Sequence, residues 1–255
     1  PKLAYSLYGF FWNAVDWIYP PTCGGCGQPG ERWCPSCRQK IEHLTSICPL
    51  CGDQVAGSQL CPRCEQHPPV FTRMRTCAVF KSPVREALHR LKYKQDIGLG
   101  EALSRHLIEL YDTLQWPINL IVPLPLSQTR LRERGYNQSS LLARPLALAR
   151  AVPYKPQVVE RVRNTRPQVG LSAVDRLENV KDAFLAHAEV KDKTVLVIDD
   201  VTTTSATIQA CSLALLTAGA KQVYAMTLAR AVLGDDLPPN PQDMAGDSQP
   251  VQSLY

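Results

Sequence analysis

Several things are scarce in this chain of 255 residues, and each scarcity removes a class of protein. Aromatic residues make up only 7 % of it and Met occurs three times. That is too few for a long platform on which a single nucleic-acid strand would stack base by base. No apolar run is long enough for a transmembrane helix, because the most apolar stretch, residues 3–19, is interrupted by Asn13 and Asp16. Nor does a basic region followed by an A-x-A-like cleavage site mark a signal peptide. A leader helix packed on the body is therefore expected, with membrane-surface association as the lesser alternative, and the location expected is cytoplasmic. Neither the G-x-x-x-x-G-K phosphate loop nor the three-glycine dinucleotide fingerprint is present.

Charge is unevenly spread. The formal net charge is +5, but residues 231–255 carry four of the 23 acids and no Lys or Arg. The remaining 19 acids face all 28 basic residues, a balance of +9 that favours anionic partners such as phosphates or nucleic acid. The tail from 233 onward is Pro-rich, polar and acidic, and disorder is expected there.

Cysteine, by contrast, is plentiful. Eight of the ten form four C-x-x-C pairs: Cys23/Cys26, Cys34/Cys37, Cys48/Cys51 and Cys61/Cys64. Each pair puts two thiolates on one tight turn, and two such turns close a tetrahedral Zn²⁺ site. A disulfide framework is the alternative, but it belongs to secreted domains and the paired cysteines are too close for comfortable bridges. Two structural zinc sites are expected, with sequential pairing favoured over crossed pairing. Four Cys per site leave no open position for catalysis. Cys77 and Cys211 stand alone in apolar patterns and are expected to be buried small hydrophobes.

The organisation expected is a leader and double zinc module over residues 1–66, a second domain over 67–232, and the tail over 233–255. "EQHPPVFTR" is expected to be a linker. Strands are expected at 76–80, 118–122 and 193–199, and at "QVYAMTLA". Apolar periodicity predicts two helical pieces between Pro83 and Leu110, broken near "QDIGLG". A helix over 137–152 should break or kink at Pro145. Another helix should follow residue 205 and stop at Gly219. Strand, helix, strand in succession implies an α/β fold with a mainly parallel sheet.

The richest local chemistry is "VLVIDDVTTTSATIQA", residues 195–210. An apolar strand runs into Asp199 and Asp200, then into five hydroxyls within residues 202–207. Ligands of open parallel sheets bind beyond the carboxyl ends of strands. A helix N-terminus there favours an anion, with Thr and Ser hydroxyls as further donors. Paired carboxylates can accept hydrogen bonds from a sugar diol or hold Mg²⁺. Phosphate on the turn and diol on the acids describe a ribose 5-phosphate. A simple helix N-cap would need only one acid and one hydroxyl. "LRERGYNQ" reads either as a polar, basic loop carrying Arg132, Arg134, Asn137 and Gln138 or as a solvated helix start.

The 195–210 stretch resembles the phosphoribosyl pyrophosphate (PRPP) motif of type I phosphoribosyltransferases. With "YPPTCGGCG", "LKYK", "VPLPLSQTRLRERGYNQ", "RNTRPQVGLSAVDRLENVKDAF" and "AGAKQVYAMTLAR" in the same order, the chain resembles the ComF family of competence-related proteins, GntX-like members included. The resemblance spans nearly all of residues 17–231. It implies a zinc module joined to a phosphoribosyltransferase-like domain, PRPP bound with Mg²⁺, and a part in DNA uptake and natural transformation. It also implies that Asp199 and Asp200 face the ribose hydroxyls, and that Thr203, Thr204, Ser205, Ala206 and Thr207 cradle the 5-phosphate. Pro123, Leu124 and Pro125 would approach the pyrophosphate, and residues 163–179 would form a lid whose Arg166 or Arg176 meets phosphate. Arg134, Asn137, Gln138, Gln168 and Asn179 complete the matching motifs. The family usually has Gly where this chain has Ser205, and a left-handed backbone there would weaken phosphate binding.

An active transferase and a catalytically silent zinc protein binding single-stranded DNA or a DNA-uptake helicase are the competing expectations. Arg73, Arg75, Arg85, Arg90, Lys92 and Lys94 are candidate DNA-phosphate contacts. No general base or acceptor site can be assigned from the residues.

Overall fold

Four strands form one all-parallel sheet in the computed structural model, which describes residues 2–57, 59–163 and 183–232. They are β1 (Arg73–Val79), β2 (Leu120–Pro123), β5 (Thr194–Thr202) and β6 (Gln222–Arg230), in the order β1–β6–β5–β2. A short antiparallel pair, β3 (Val159–Arg161) and β4 (Phe184–Ala186), lies outside that sheet. The expected α/β class with a parallel sheet is what the chain adopts.

Burial on both faces explains the unbroken apolar strands. Ile121, Leu196, Ile198, Tyr224 and Met226 pack on one face with α4 (Val84–Tyr93), α5 (Leu99–Leu114) and α7 (Gln138–Arg150). Leu120, Val122, Val195, Val197 and Ala225 pack on the other with α8 (Ala206–Thr217). Alternate residues of β2, β5 and the first half of β6 thus feed two separate cores.

The cysteine-rich segment is built into both. Cys23, Trp33 and Cys37 join the first core, whereas Cys48, Cys51, Cys61 and Cys64 join the second with Phe71 and Met74. Short helices α2 (Pro35–Gln39) and α3 (Pro62–Gln66) each carry the last Cys of a pair. From Glu42 to Leu50, into the second cluster, the chain runs beside the free edge of β1. Met74 donates its N–H to Leu50 and Val79 donates to Glu42. An edge strand that would otherwise be a template for association is thereby covered. "EQHPPVFTR" is tied down as well: Thr72 donates to Val223, and Phe71 is buried.

Helix α1 (Lys2–Ile18) packs one side on the body. Tyr5 donates to Glu101, Arg32 lies over Trp12 and pairs with Asp16, and Arg144 lies over Tyr8. Its other side leaves Phe10 71 % and Trp17 87 % exposed, so the expected packing covers only part of the helix. No described helix is long and apolar enough to cross a membrane.

Three expectations are decided by the structure. Pro145 does not break α7, which runs through it. Pro145 has no N–H for the Leu141 carbonyl, four residues earlier, and that carbonyl lies against Gly100 of α5. A Cβ on Gly100 would sit 2.7 Å from the Leu141 Cβ and 3.1 Å from that oxygen. Second, the two readings of "LRERGYNQ" resolve toward helix: Arg132 and Arg134 are on α6 (Gln128–Arg134), capped by the Ser127 hydroxyl, and Gln138 opens α7. Gly135 then turns the chain with φ 77°. Third, β5 extends three residues past Asp199, to Thr202, because β6 stays paired with it as far as Arg230.

Candidate ribose-phosphate site and two cysteine clusters

The site arises where two strands have different lengths. β2 stops pairing with β5 at Pro123, opposite Ile198. From Asp199 onward that side of β5 is open, and the start of α7 fills the gap. Asn137 caps α7 by accepting from the Ser139 N–H at 2.9 Å and donates its amide to Leu124 O at 3.0 Å. Leu124 in turn donates to Ile198. The "VPLPL" turn and the α7 N-terminus are therefore locked beside the acids. Pro123 and Leu124 are buried, so a ligand could meet them only through backbone; Pro125 is half-buried.

Asp199 and Asp200 are 9 % and 4 % exposed. The Ser139 hydroxyl donates to Asp199 Oδ1 at 2.9 Å, and the Asp200 N–H donates to the same oxygen. Burial first, and then the neighbouring Asp200 charge, push the Asp199 carboxyl up to about 8. Burial also works against ionised Asp200, but the Lys92 ammonium and the Gln138 amide outweigh it and hold that carboxyl below its ordinary range. Lys92 forms an ion pair with Asp200, and Gln138 Nε2 donates to Asp200 Oδ1 at 3.3 Å. Arg134 donates to Gln138 at 2.9 Å and stacks over Tyr93. The two acids thus differ in state: one leans toward the neutral form and one is anionic.

The turn that follows carries the anion-binding features. Ser205 has φ 65° and ψ 10°, a left-handed conformation. The Gly-to-Ser departure therefore falls where the backbone requires what glycine adopts without strain. Ser205 precedes α8, whose first N–H groups have no acceptor within the helix. Thr204 Oγ1 is buried without a hydrogen-bond partner. The structure brings together Asp199, Asp200, Asn137, Gln138, Arg134 and the turn from Thr203 through Thr207. Arg166, Gln168, Arg176 and Asn179 lie outside the described residues.

Sequence reasoning assigned Lys92 to DNA and gave no role to Ser139, Arg63 or Arg230. Lys92 and Arg230 had a signal, since "LKYK" and "AGAKQVYAMTLAR" are family motifs, but nothing in either showed its partner; Arg63 had none, because Thr204 is remote in sequence. Of the six proposed DNA contacts, Lys92 is committed to Asp200, Arg90 to Cys23 O, Thr22 and Asp96, and Arg75 to Pro49 O.

The cysteines fall into the sequential sets, Cys23/Cys26/Cys34/Cys37 and Cys48/Cys51/Cys61/Cys64, each with its sulfurs within 4.8 Å of one another. Cys26 and Cys34 are 3.7 Å apart at sulfur, and Cys51 and Cys61 3.6 Å. A tetrahedron with Zn–S bonds of about 2.3 Å has edges of about 3.8 Å, whereas a disulfide needs about 2.05 Å. Both clusters fit zinc. Cys77 and Cys211 are buried and lie in neither cluster.

A profile for the double zinc ribbon domain matches residues 14–65. DNA utilization protein YhgH of Salmonella typhimurium is 34 % identical over 224 residues, covering 84 % of this chain and 98 % of that protein. Competence protein F of Haemophilus influenzae is 31 % identical, covering 78 % of this chain and 90 % of that protein. Competence protein ComFC of Bacillus subtilis is 28 % identical, with 80 % and 86 % covered. Among solved structures, glutamine PRPP amidotransferase from B. subtilis matches at 20 % identity over 51 % of this chain and 27 % of that one, with TM-score 0.37. The architecture stands on the sheet order itself, and by its sequence relatives the chain belongs to the ComF family of competence and DNA utilization proteins.

Proposed function

We propose that the chain binds a ribose 5-phosphate group, as in PRPP, at the end of β5, in the service of DNA uptake. The observation that carries this reading is the buried, unpartnered Thr204 hydroxyl in a left-handed turn directly after two buried acids. A buried hydroxyl without a partner costs about 1–3 kcal/mol, which a phosphate oxygen would recover. Asp199 and Asp200 accept from the ribose diol. Lys92 already neutralises Asp200, so any Mg²⁺ bound with PRPP would depend mainly on pyrophosphate oxygens and water for its ligands. The reading is one of binding, with no side chain assigned to group transfer. Titration calorimetry with PRPP and Mg²⁺ tests it: wild type binds and the Asp199→Asn/Asp200→Asn double variant does not. Heatless titration of wild type at high protein concentration, confirmed by a second method, would sink it.

A second reading, contact with single-stranded DNA, draws on the cleft between the first ribbon and α4. It has a volume of about 430 Å³ and is lined by Arg85, His89, Lys92, Tyr93 and Lys94 among others. The names of the relatives favour the same partner. Affinity for an oligonucleotide should then fall steeply with salt, and affinity insensitive to salt would count against it.

A further inference from the structure

Two arginines join the second cysteine cluster to the turn. Arg63, between Cys61 and Cys64, donates to Thr204 O at 2.9 Å, to Cys51 Sγ at 3.6 Å and to Asp53 at 3.2 Å. Arg230, the last residue of β6, is 0 % exposed. It donates to Thr203 O at 3.2 Å and to Cys51 O at 2.5 Å, and it lies 3.5 Å from Asp53. Two consecutive carbonyls of the turn are thus held by guanidinium groups anchored on one knuckle.

This geometry fixes the other side of the same peptides. The only cis bond among the described residues is Ser82–Pro83, so the 203–204 and 204–205 peptides are trans. In a trans peptide the N–H points opposite to the C=O. Carbonyls drawn toward the ribbon therefore aim the Thr204 and Ser205 N–H groups away from it, beside the α8 N-terminus. Successive N–H groups converging at a left-handed residue form an anion-binding nest. The buried Arg230 charge is compensated by Asp53 and by the two carbonyls it holds, so those carbonyls are fixed in place.

We infer that Arg63 and Arg230 are positioning residues that hang the phosphate turn from the second zinc ribbon, so that this ribbon is part of the anion site. The inference rests on the reading of the turn as a phosphate site. Zinc at Cys48, Cys51, Cys61 and Cys64 would fix Cys51 and the Arg63-bearing turn, and thereby both anchors.

The test uses the full chain with both zinc ions bound. Arg63→Ala is the primary variant, since Arg230→Ala empties a fully buried site and tests the fold along with the turn. Two readouts are taken: titration with ribose 5-phosphate, and hydrogen exchange without ligand of the Gln209 and Ala231 amides, which donate to Ser205 O and Thr202 O at the two ends of the turn. With zinc still at two per chain, Arg63→Ala should weaken ribose 5-phosphate binding by about tenfold or more, the scale of one charge-assisted hydrogen bond. The exchange of those amides should quicken by a similar factor. Arg63→Lys, which can still reach Thr204 O, should recover part of both. Unchanged exchange in Arg63→Ala overturns the inference, as does unchanged affinity. If wild type itself fails to bind ribose 5-phosphate, the phosphate reading falls, while the exchange measurement still decides whether the ribbon holds the turn.

Discussion

Lys92 of α4 forms an ion pair with Asp200 of β5, across a largely buried contact at the strand end. The carboxylate is the more buried partner, so removing the cation leaves an uncompensated charge. Lys92→Met should destabilise the protein by about 3 kcal/mol, read from urea unfolding. Adding Asp200→Asn should recover much of that loss. A single variant as stable as wild type would show that the pair does not set the state of Asp200.

Asp199 should make stability fall as pH rises. Its carboxyl is raised to about 8 in the fold, against an ordinary value of about 3.9 when unfolded. An acid that holds its proton more tightly in the native state contributes fully below pH 4 and loses that contribution up to about pH 8. The groups around it are Asp200, Lys92, Arg161 and Cys211. Asn mimics the neutral acid and can accept from Ser139 and the Asp200 N–H. Asp199→Asn should therefore gain on wild type between pH 6 and 8, by at most about 1.4 kcal/mol per pH unit. A difference that stays flat over that range would mean Asp199 is ionised throughout.

Ser205→Gly should stabilise the turn. A left-handed residue with a Cβ costs about 1 kcal/mol, and the hydroxyl it would lose receives only a 3.4 Å contact from Thr202. Thermal unfolding should shift upward, and ribose 5-phosphate should bind at least as tightly. Weaker binding would show that the Ser205 hydroxyl itself contacts the ligand.

Gly100→Ala sets two effects against each other. Alanine favours a helix by about 1 kcal/mol, but forcing an atom to 2.7 Å from the Leu141 Cβ costs about 1–3 kcal/mol. Overpacking is the larger, so the variant should be less stable and α5 should part from α7. Denaturant unfolding decides the sign.

Metal analysis should find two zinc ions per chain. Stripping them with a chelator should free the ribbon from β1, uncover the Met74 and Val79 N–H groups and lead to aggregation, measured by light scattering. Metal-free protein that stays monodisperse would show that the edge is covered without zinc.

Much of this was legible in the residue order. Four C-x-x-C turns specify their metal chemistry locally, since each pair needs only its own tight turn. "KTVLVID" announces a strand buried on both faces and "QVYAMTLA" the strand after it, and the break between α4 and α5 follows from apolar periodicity. The two acids and the hydroxyl-rich turn mark a site because strand-end chemistry is concentrated in one short segment.

What the sequence could not carry are relations between distant segments. The extent of β5 depends on β6 staying paired to Arg230, and the open side of Asp199 depends on where β2 stops. The unequal states of Asp199 and Asp200 depend on Lys92, more than a hundred residues earlier. That Arg63 and Arg230 meet behind the same turn follows only from the ribbon packing on β1 and the second core. Local chemistry is written along the chain, whereas burial and charge pairing are properties of the folded arrangement, and it is these that decided which acid holds its proton and what holds the turn.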